Sequence, residues 1–446
     1  MRILHYFLGF PPYRTGGLTK CSYDIMTSQK NQGDIVFALW PGKMNLFNKK
    51  VKIIYRGMFD GIESYELINP LPVPLDEGVK DVDLFMEKCD SAIYEKFLKK
   101  LRPDVIHIHT LMGLHKEFIL VANKKKVKTV FTSHDYYGIC PKVTLYHNKG
   151  VCDNKDCKDC VYCNLNALSI KQIMLIQSPL YRVLKDSAII KKLRKQHRNE
   201  FFSEDDQPEI LMSDEKNLKM AEKYSTLRKY YVDMLQNIDL IHFNSTVAES
   251  VYCRYLKPKN SVVLSISHKD ISDKRDTPHK GDSILRLTCL APAKPFKGFN
   301  IMKQALDELW EEGKRDFILN IFNQVPQLSP YMRISTGQFD YSLLKSIMEE
   351  SDVLLAPSVW YETFGYTVLE ALSFGVPVVV TDHVGAKDIV GDGGVVIPSG
   401  SVEALKRTIK SLTPSYLEKL RENIRNNIKI KTWEMFLKEI KDIYKS

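Results

Sequence analysis

Glu362 and Glu370 stand in the run Tyr-Glu-Thr-Phe-Gly-Tyr-Thr-Val-Leu-Glu-Ala-Leu-Ser-Phe-Gly-Val-Pro-Val-Val-Val, with seven residues between them. The pattern puts the first acid on a strand end and loop, and the second on an apolar helix starting near Phe364. Gly375 and Pro377 stop that helix and lead into a strand, Val378–Thr381. Both carboxylates then lie at the mouth of a parallel sheet, beside a helix N-terminus whose amides can hold a phosphate. Acids suit hydroxyls and amides suit a diphosphate, so the combination fits a sugar nucleotide. Two glutamates at this distance occur in many helices. The flanking Asp352-Val-Leu-Leu-Ala-Pro-Ser358 and Gly-Val-Pro-Val-Val-Val make the pattern specific.

Cys140, Cys152, Cys157, Cys160 and Cys163 gather more than half of the nine cysteines in one short loop. Cys-x2-Cys-x2-Cys with an earlier cysteine can wrap a tetrahedral ion, so four of the five read as ligands of a structural zinc. An iron–sulfur cluster uses similar spacing, and unligated reduced thiols are the third reading. A catalytic zinc has no part to play beside the carboxylate pair.

The elements that position these residues alternate. Residues 3–10 read as a first strand, followed by the Gly16-Gly17 turn, a helix, and a strand at 35–39. Strands at 105–109 and 127–133 each follow a lysine-rich helix. The alternation resumes with strands at 285–290, 317–322, Val353–Ala356 and Val378–Thr381. Two such blocks in 446 residues predict an α/β protein of two Rossmann-like, doubly wound domains. The first domain spans 1–268, with the cysteine-rich loop 140–163 and a charged helical insertion at 165–235. The second spans 283–428, reached through a polar linker at 262–282, and 429–446 is a helix with an apolar stripe around Trp433.

Net charge is +10, with 44% apolar and 26% charged residues, so a packed soluble core is expected. A basic balance suits nucleotide diphosphates, an anionic membrane or nucleic acid, and a lysine-rich solvated surface explains most of it. Nothing approaches the roughly 18–20 apolar residues of a spanning helix, and the first ten residues are too short for an export signal. A cytoplasmic protein with reduced thiols is expected. The stretch 169–198 mixes apolar residues with Lys185, Lys191, Lys192, Arg194, Lys195 and Arg198. Read as one basic amphipathic helix, it either lies on the inner face of the plasma membrane or packs on its own domain.

The Glu-x7-Glu run and its flanks resemble the signature of retaining glycosyltransferases of family 4, which have the GT-B fold: two Rossmann-like domains facing across a cleft, with a C-terminal helix crossing back. The resemblance reaches nearly the whole chain and is strongest from 285 to 398. It implies that Glu362 sits by the sugar ring, that Glu370 binds the ribose, and that the amides of Thr363, Phe364 and Gly365 face the diphosphate. Lys297 matches the lysine placed on the leaving diphosphate, which removes the need for a divalent metal or other catalytic cofactor. Gly16 and Gly17 would approach the donor phosphates from the first domain, and His134 would bond a sugar hydroxyl, helped by Asp135. His109 is a weaker candidate of the same kind, read as packing. Many members carry an arginine five residues before the lysine; this chain has Pro292, with Lys294 as a substitute. A glycine-rich turn is likewise replaced by Asn323-Gln-Val-Pro-Gln, which leaves the base unread.

The resemblance implies transfer of a sugar from a nucleotide-sugar donor to a glycan or lipid-linked acceptor in cell-surface or capsular polysaccharide assembly. The leaving diphosphate itself would take the acceptor's proton. The alternative is a non-catalytic nucleotide-sugar-binding or scaffold protein of such an assembly, favoured by Pro292 and the altered turn. A nucleic-acid binder would leave the two alternating lobes without purpose.

Overall fold

The computed structural model describes residues 1–45, 48–147, 150–188, 190–192, 215–276, 284–335 and 341–446. In the first lobe the strands are β1 (Arg2–Tyr6), β2 (Ile35–Pro41), β3 (Lys52–Phe59), β4 (Ile62–Ile68), β5 (Val105–Ile108), β6 (Lys128–Thr132), β7 (Tyr146–His147), β8 (Gly150–Val151), β9 (Leu240–Phe243) and β10 (Ser261–Val263). Among the described residues the main sheet runs β10-β9-β6-β5-β1-β2-β4-β3. It is parallel except for β3, which turns back on β4 through Asp60-Gly61 at φ 50° and 78°, as a tight hairpin requires. The second lobe contains β11 (Leu285–Cys289), β12 (Phe317–Ile321), β13 (Met332–Ile334), β14 (Val353–Ala356), β15 (Val378–Thr381) and β16 (Gly394–Ile397), ordered β13-β12-β11-β14-β15-β16 and parallel throughout. Helices cover both faces of such a sheet, which is why Val-Leu-Leu-Ala and Val-Val-Val-Thr are buried at every position.

Strand order reverses twice, and both reversals matter. In the first lobe it happens between β1 and β5, in the second between β11 and β14. At such a point the crossovers leave to opposite faces, opening a crevice at the strands' carboxyl ends. The loops after β1 and β5 carry Gly16 and His109, and those after β11 and β14 carry Lys297 and Glu362.

The C-terminal helix Trp433–Lys445 crosses back, as expected. It buries Trp433, Phe436, Ile440, Ile443 and Tyr444 in one cluster with Ile3, Val105 and Val130 of the first lobe and Phe364 and Val368 of the second. Trp433 Nε1 donates to Ser28 Oγ at 2.9 Å, and Lys128 Nζ donates to the Ile443 carbonyl at 2.7 Å.

Three expectations change. The helix Glu215–Gln236 is no appendage, because Tyr224, Leu227, Tyr231, Met234 and Leu235 are buried in the first lobe's core. The basic stretch is not one helix in its described part: Ser178 and Pro179 cap a new start between Ile170–Ile176 and Pro179–Leu184. Lys185 is turned inward, its Nζ on the Pro12 carbonyl at 2.7 Å. Arg194, Lys195 and Arg198 lie outside the described residues. The linker begins inside β10 and is packed where it is described: Ile266 and Ile271 are buried, and Arg275 Nη1 donates to the carbonyls of Ile424, Arg425 and Ile428. Residues 277–282 and the boundary at 283 lie outside the described residues.

Candidate active site

The second-lobe crevice assembles first. After β11 the chain makes a short turn, Pro295–Lys297, and Gly298 follows at φ 78°. A Cβ on Gly298 would stand 1.8 Å from the Pro357 carbonyl oxygen, so only glycine lets this turn meet the loop after β14. That contact brings Lys297 Nζ to 2.7 Å from Glu362 Oε1, although 65 residues separate them. Ser358 Oγ donates to the other oxygen, Oε2, at 2.7 Å, and the Lys297 ammonium also lies 4.9 Å over the Trp360 ring. Burial pushes the Glu362 carboxyl up, but the Lys297 charge and the hydrogen bonds from Lys297 and Ser358 prevail and hold it below its ordinary range. Glu362 is therefore a carboxylate, with 19% of its side chain exposed.

Glu362 is fixed through its main chain by a parallel bridge to Val384, and the chain then turns through Gly365 at φ 105° into the helix Tyr366–Ser373. The amides of Thr363, Phe364 and Gly365 have no acceptor among the described residues. Thr363 reaches across the cleft instead: its Oγ1 donates to the His134 carbonyl at 3.0 Å, and its carbonyl accepts from Ser245 Oγ at 2.8 Å. One loop thus offers a carboxylate, an ammonium and unused amides while touching the first lobe.

Glu370 sits on the buried face of that helix, 1% exposed. Its Oε1 accepts from His268 Nε2 at 3.0 Å and from Tyr341 Oη at 2.6 Å. Gly16, Gly17, Lys20, His268, Tyr341 and Tyr366 line a cavity of about 280 Å³ between the lobes. Gly17 lies close to Tyr366, so the Gly-Gly turn and the helix carrying Glu370 face each other as the sequence suggested. Lys294 is placed over the Phe296 ring, at 5.4 Å, and not on Glu362. Ser358, Trp360, His268 and Tyr341 are additions. Ser358 lay in the quoted Ala-Pro-Ser flank, whereas nothing in the sequence marked His268 or Tyr341 as partners of Glu370.

His134 follows β6, half-buried, with Nε2 3.1 Å from His109 Nδ1. Burial and the nearby His242 lower it to about 3, so its ring is neutral at ordinary pH. Asp135 beside it is pushed up to about 6 by burial, against a hydrogen bond from the Tyr137 amide. Asp135 lines a larger cavity of about 570 Å³, together with Leu8, Arg14, Met112, Leu168 and Leu175. Arg14 is buried there, and its Nε and Nη2 find no acceptor.

The cysteine loop borders these groups: Val143 lines the larger cavity, and the Tyr146 ring lies 6.1 Å from that of Phe296. Cys157 and Cys160 are hydrogen-bonded, Cys163 Sγ is 3.2 Å from His147 Nδ1, and Arg228 Nη2 lies 3.8 Å from Cys160 Sγ. Burial raises the Cys152 and Cys163 thiols and the Cys157 hydrogen bond, then burial, raises that of Cys160, with Cys140 close enough to add to all three. The cysteines expected to hold a structural zinc are brought together as neighbouring thiols.

Two parallel-sheet lobes opening their carboxyl edges on one cleft, with a returning C-terminal helix, define the GT-B class. Solved structures of this shape cover essentially the whole chain. Sucrose-phosphate synthase from Thermosynechococcus elongatus superposes with a TM-score of 0.54 at 14% identity, covering 99% of this chain and 98% of that one. Anabaena Alr3699/HepE, in complex with UDP and glucose, gives 0.52 at 13%, covering all of both chains. Residues 333–431, which include Glu362 and Glu370, match the family model of glycosyl transferases group 1. O-antigen chain mannosyltransferase B of Escherichia coli is 33% identical over 107 residues, 23% of this chain and 24% of that protein. An uncharacterized 42.6 kDa protein in the cps region of Klebsiella pneumoniae is 22% identical over 314 residues, 68% of this chain and 63% of that protein. The matches thus span less than two thirds of either relative's length.

Proposed function

We propose that this protein is a retaining glycosyltransferase that moves a sugar from a nucleotide-sugar donor to a glycan or lipid-linked acceptor of a cell-surface polysaccharide. The observation that carries this reading is the loop 358–365, where the Glu362 carboxylate and Lys297 ammonium stand beside amides with no other acceptor. A diphosphate on those amides gains their hydrogen bonds and the partial positive end of the helix. Lys297 supplies a fixed cation as the glycosidic bond breaks, and Glu362 faces the charge that develops on the sugar ring. No metal is assigned to this step. The likeness to an O-antigen chain mannosyltransferase and to a cps-region protein supports the pathway, and the likeness to a structure in complex with UDP supports the donor class. Incubating the protein with a panel of nucleotide sugars and lipid-linked acceptors tests it: released nucleotide diphosphate and a product with the donor's own anomeric configuration are expected from one donor. Tight donor binding without turnover would instead favour the non-catalytic reading.

Glu370 is the expected ribose contact, and a ribose must displace Tyr341 or His268 to reach Oε1. Glu370→Ala is expected to weaken donor affinity about 10–100-fold, the loss of hydrogen bonds to a charged group. Donor-dependent thermal shifts measure it, and an unchanged dissociation constant removes Glu370 from the site.

The acceptor side is read from the larger cavity, where buried Arg14, whose Nε and Nη2 have no hydrogen-bond acceptor among the described residues, favours an anionic acceptor. At its rim the two short helices expose Leu175, Leu180, Val183 and Leu184, with Val183 80% exposed. We assign this apolar tip to peripheral contact with an anionic bilayer that would deliver a lipid-linked acceptor. Cosedimentation with phosphatidylglycerol vesicles is expected, and Leu180→Ser with Val183→Ser should reduce it severalfold. Equal recovery with neutral and anionic vesicles would reject the assignment.

A further inference from the structure

Strand register places histidines side by side in the first lobe. His5 of β1 is opposite His107 of β5, and Thr132 of β6 is opposite His242 of β9. From the Leu264 carbonyl, eight hydrogen bonds run without interruption. They link His242 Nε2 (2.8 Å), His242 Nδ1 to Thr132 Oγ1 (3.0 Å), Thr132 Oγ1 to His107 Nε2 (2.7 Å), and His107 Nδ1 to Tyr444 Oη (2.6 Å). They continue from Tyr444 Oη to Gln29 Nε2 (3.2 Å), Gln29 Oε1 to His5 Nε2 (2.8 Å), His5 Nδ1 to His109 Nε2 (3.0 Å), and His109 Nδ1 to His134 Nε2 (3.1 Å). Tyr444 belongs to the C-terminal helix and Gln29 to the helix Gly17–Asn31.

A neutral imidazole has one donor and one acceptor nitrogen, so one fixed end orders the whole chain. Burial keeps these rings neutral: His5 and His242 are lowered to about 4, His134 to about 3, and His107 and His109 fall well below the usual value. A carbonyl only accepts, so His242 carries its proton on Nε2 and accepts at Nδ1 from the Thr132 hydroxyl. Thr132 must then accept from His107 Nε2–H, which leaves His107 Nδ1 to accept from Tyr444. The phenol oxygen in turn accepts from the Gln29 amide N–H. Gln29 therefore turns its carbonyl oxygen to His5 Nε2–H, His5 Nδ1 accepts from His109 Nε2–H, and His109 Nδ1 accepts from His134 Nε2–H. The remaining atom, His134 Nδ1, has no partner among the described residues.

We infer that His134 presents Nδ1 as a fixed hydrogen-bond acceptor to a hydroxyl of the bound sugar, with its tautomer set from the Leu264 carbonyl and transmitted by the positioning residues Gln29 and Tyr444. The sugar partner rests on the reading of the cleft given above; the tautomer does not. His5, His107 and His109 are also spaced as metal ligands are. All six of their ring nitrogens, however, already hold hydrogen-bond partners.

The test is long-range proton–nitrogen correlation spectroscopy on the full chain with ¹⁵N-labelled imidazoles, with His134 assigned by its missing signals in His134→Gln. The wild type is expected to show a pyridine-type Nδ1 and a pyrrole-type Nε2 at His134. Gln29→Glu reverses the logic, because a carboxylate stabilises His5 as an imidazolium with its extra proton drawn from solvent. His5 then donates from Nδ1, His109 donates from Nδ1, and His134 is left protonated on Nδ1. Its two nitrogen shifts should exchange character, and kcat should fall about 10²-fold with donor KM little changed. Tyr444→Phe, which removes one hydroxyl, should give averaged shifts at His134. A wild-type His134 protonated on Nδ1, or one whose shifts ignore both substitutions, overturns the inference. The spectra report the tautomer even if no donor is turned over, so failure of the transferase reading shows separately in the donor panel.

Discussion

Glu362→Gln is expected to lower kcat by about 10³-fold while leaving donor affinity within a fewfold of wild type. The amide keeps the shape: its oxygen can still accept from Lys297 while its NH2 donates to a reoriented Ser358 hydroxyl, so the fold should hold. What it loses is the negative charge that Lys297 and the Ser358 hydroxyl keep ionised. Lys297→Ala is expected to cost about 10²–10³-fold, with part of the loss in donor binding, because the diphosphate loses its cation. The two residues share a hydrogen bond, so the double substitution should cost less than the product of the single losses. Initial rates at saturating donor, with binding followed separately, measure all three. Near-wild-type turnover by Glu362→Gln would end the case for this carboxylate in the reaction.

Acid should destabilise the first lobe steeply. The imidazoles of His5, His107, His109, His134 and His242 are neutral in the fold, lowered first of all by burial. In the unfolded chain each takes up a proton near pH 6.5. Between that pH and the folded values of about 4, 3 and 4 for His5, His134 and His242, the unfolded state holds more protons. Stability is therefore fully present above pH ~6.5 and is lost as pH falls. At pH 5 each such histidine costs about 2 kcal/mol, and three cost about 6, comparable with the whole stability of a domain. Asp135, raised to about 6 by burial, opposes this by about 1.4 kcal/mol over the same interval. Denaturant midpoints at pH 7.5 and 5.0 give the slope directly. Equal midpoints would show that the rings are solvated, and the hydrogen-bonded chain would fall with them.

Local pattern was enough for the central strands. Val353–Ala356 and Val378–Thr381 are bounded as their apolar runs indicated, β2 runs two residues beyond the strand read at 35–39, and the other sequence-read strands are observed one to three residues shorter. The hairpin β3–β4 was legible in principle from Asp60-Gly61, but its exposed, mixed composition hid it. β9, β10, β13 and β16 have only three or four residues each, too few for periodicity to register. The helix Glu215–Gln236 reads as a charged insertion because lysines and glutamates fill its outer face, while its tyrosines carry the burial. At the site, Glu362 and the Gly16-Gly17 turn were visible as motifs. The partners of Glu370 were not, since His268 and Tyr341 meet it only through the folding of a linker and a loop far from it in the chain. His109, read as packing, is packed; its place between His5 and His134 depends on which strands are neighbours, and no local window holds that.

The hydroxyl of Thr363, on the loop that carries Glu362, grips the main-chain carbonyl of His134. On the transferase reading, any parting of the lobes that frees spent nucleotide also breaks this grip, so a half-open form would hold its donor without the first lobe's wall in place.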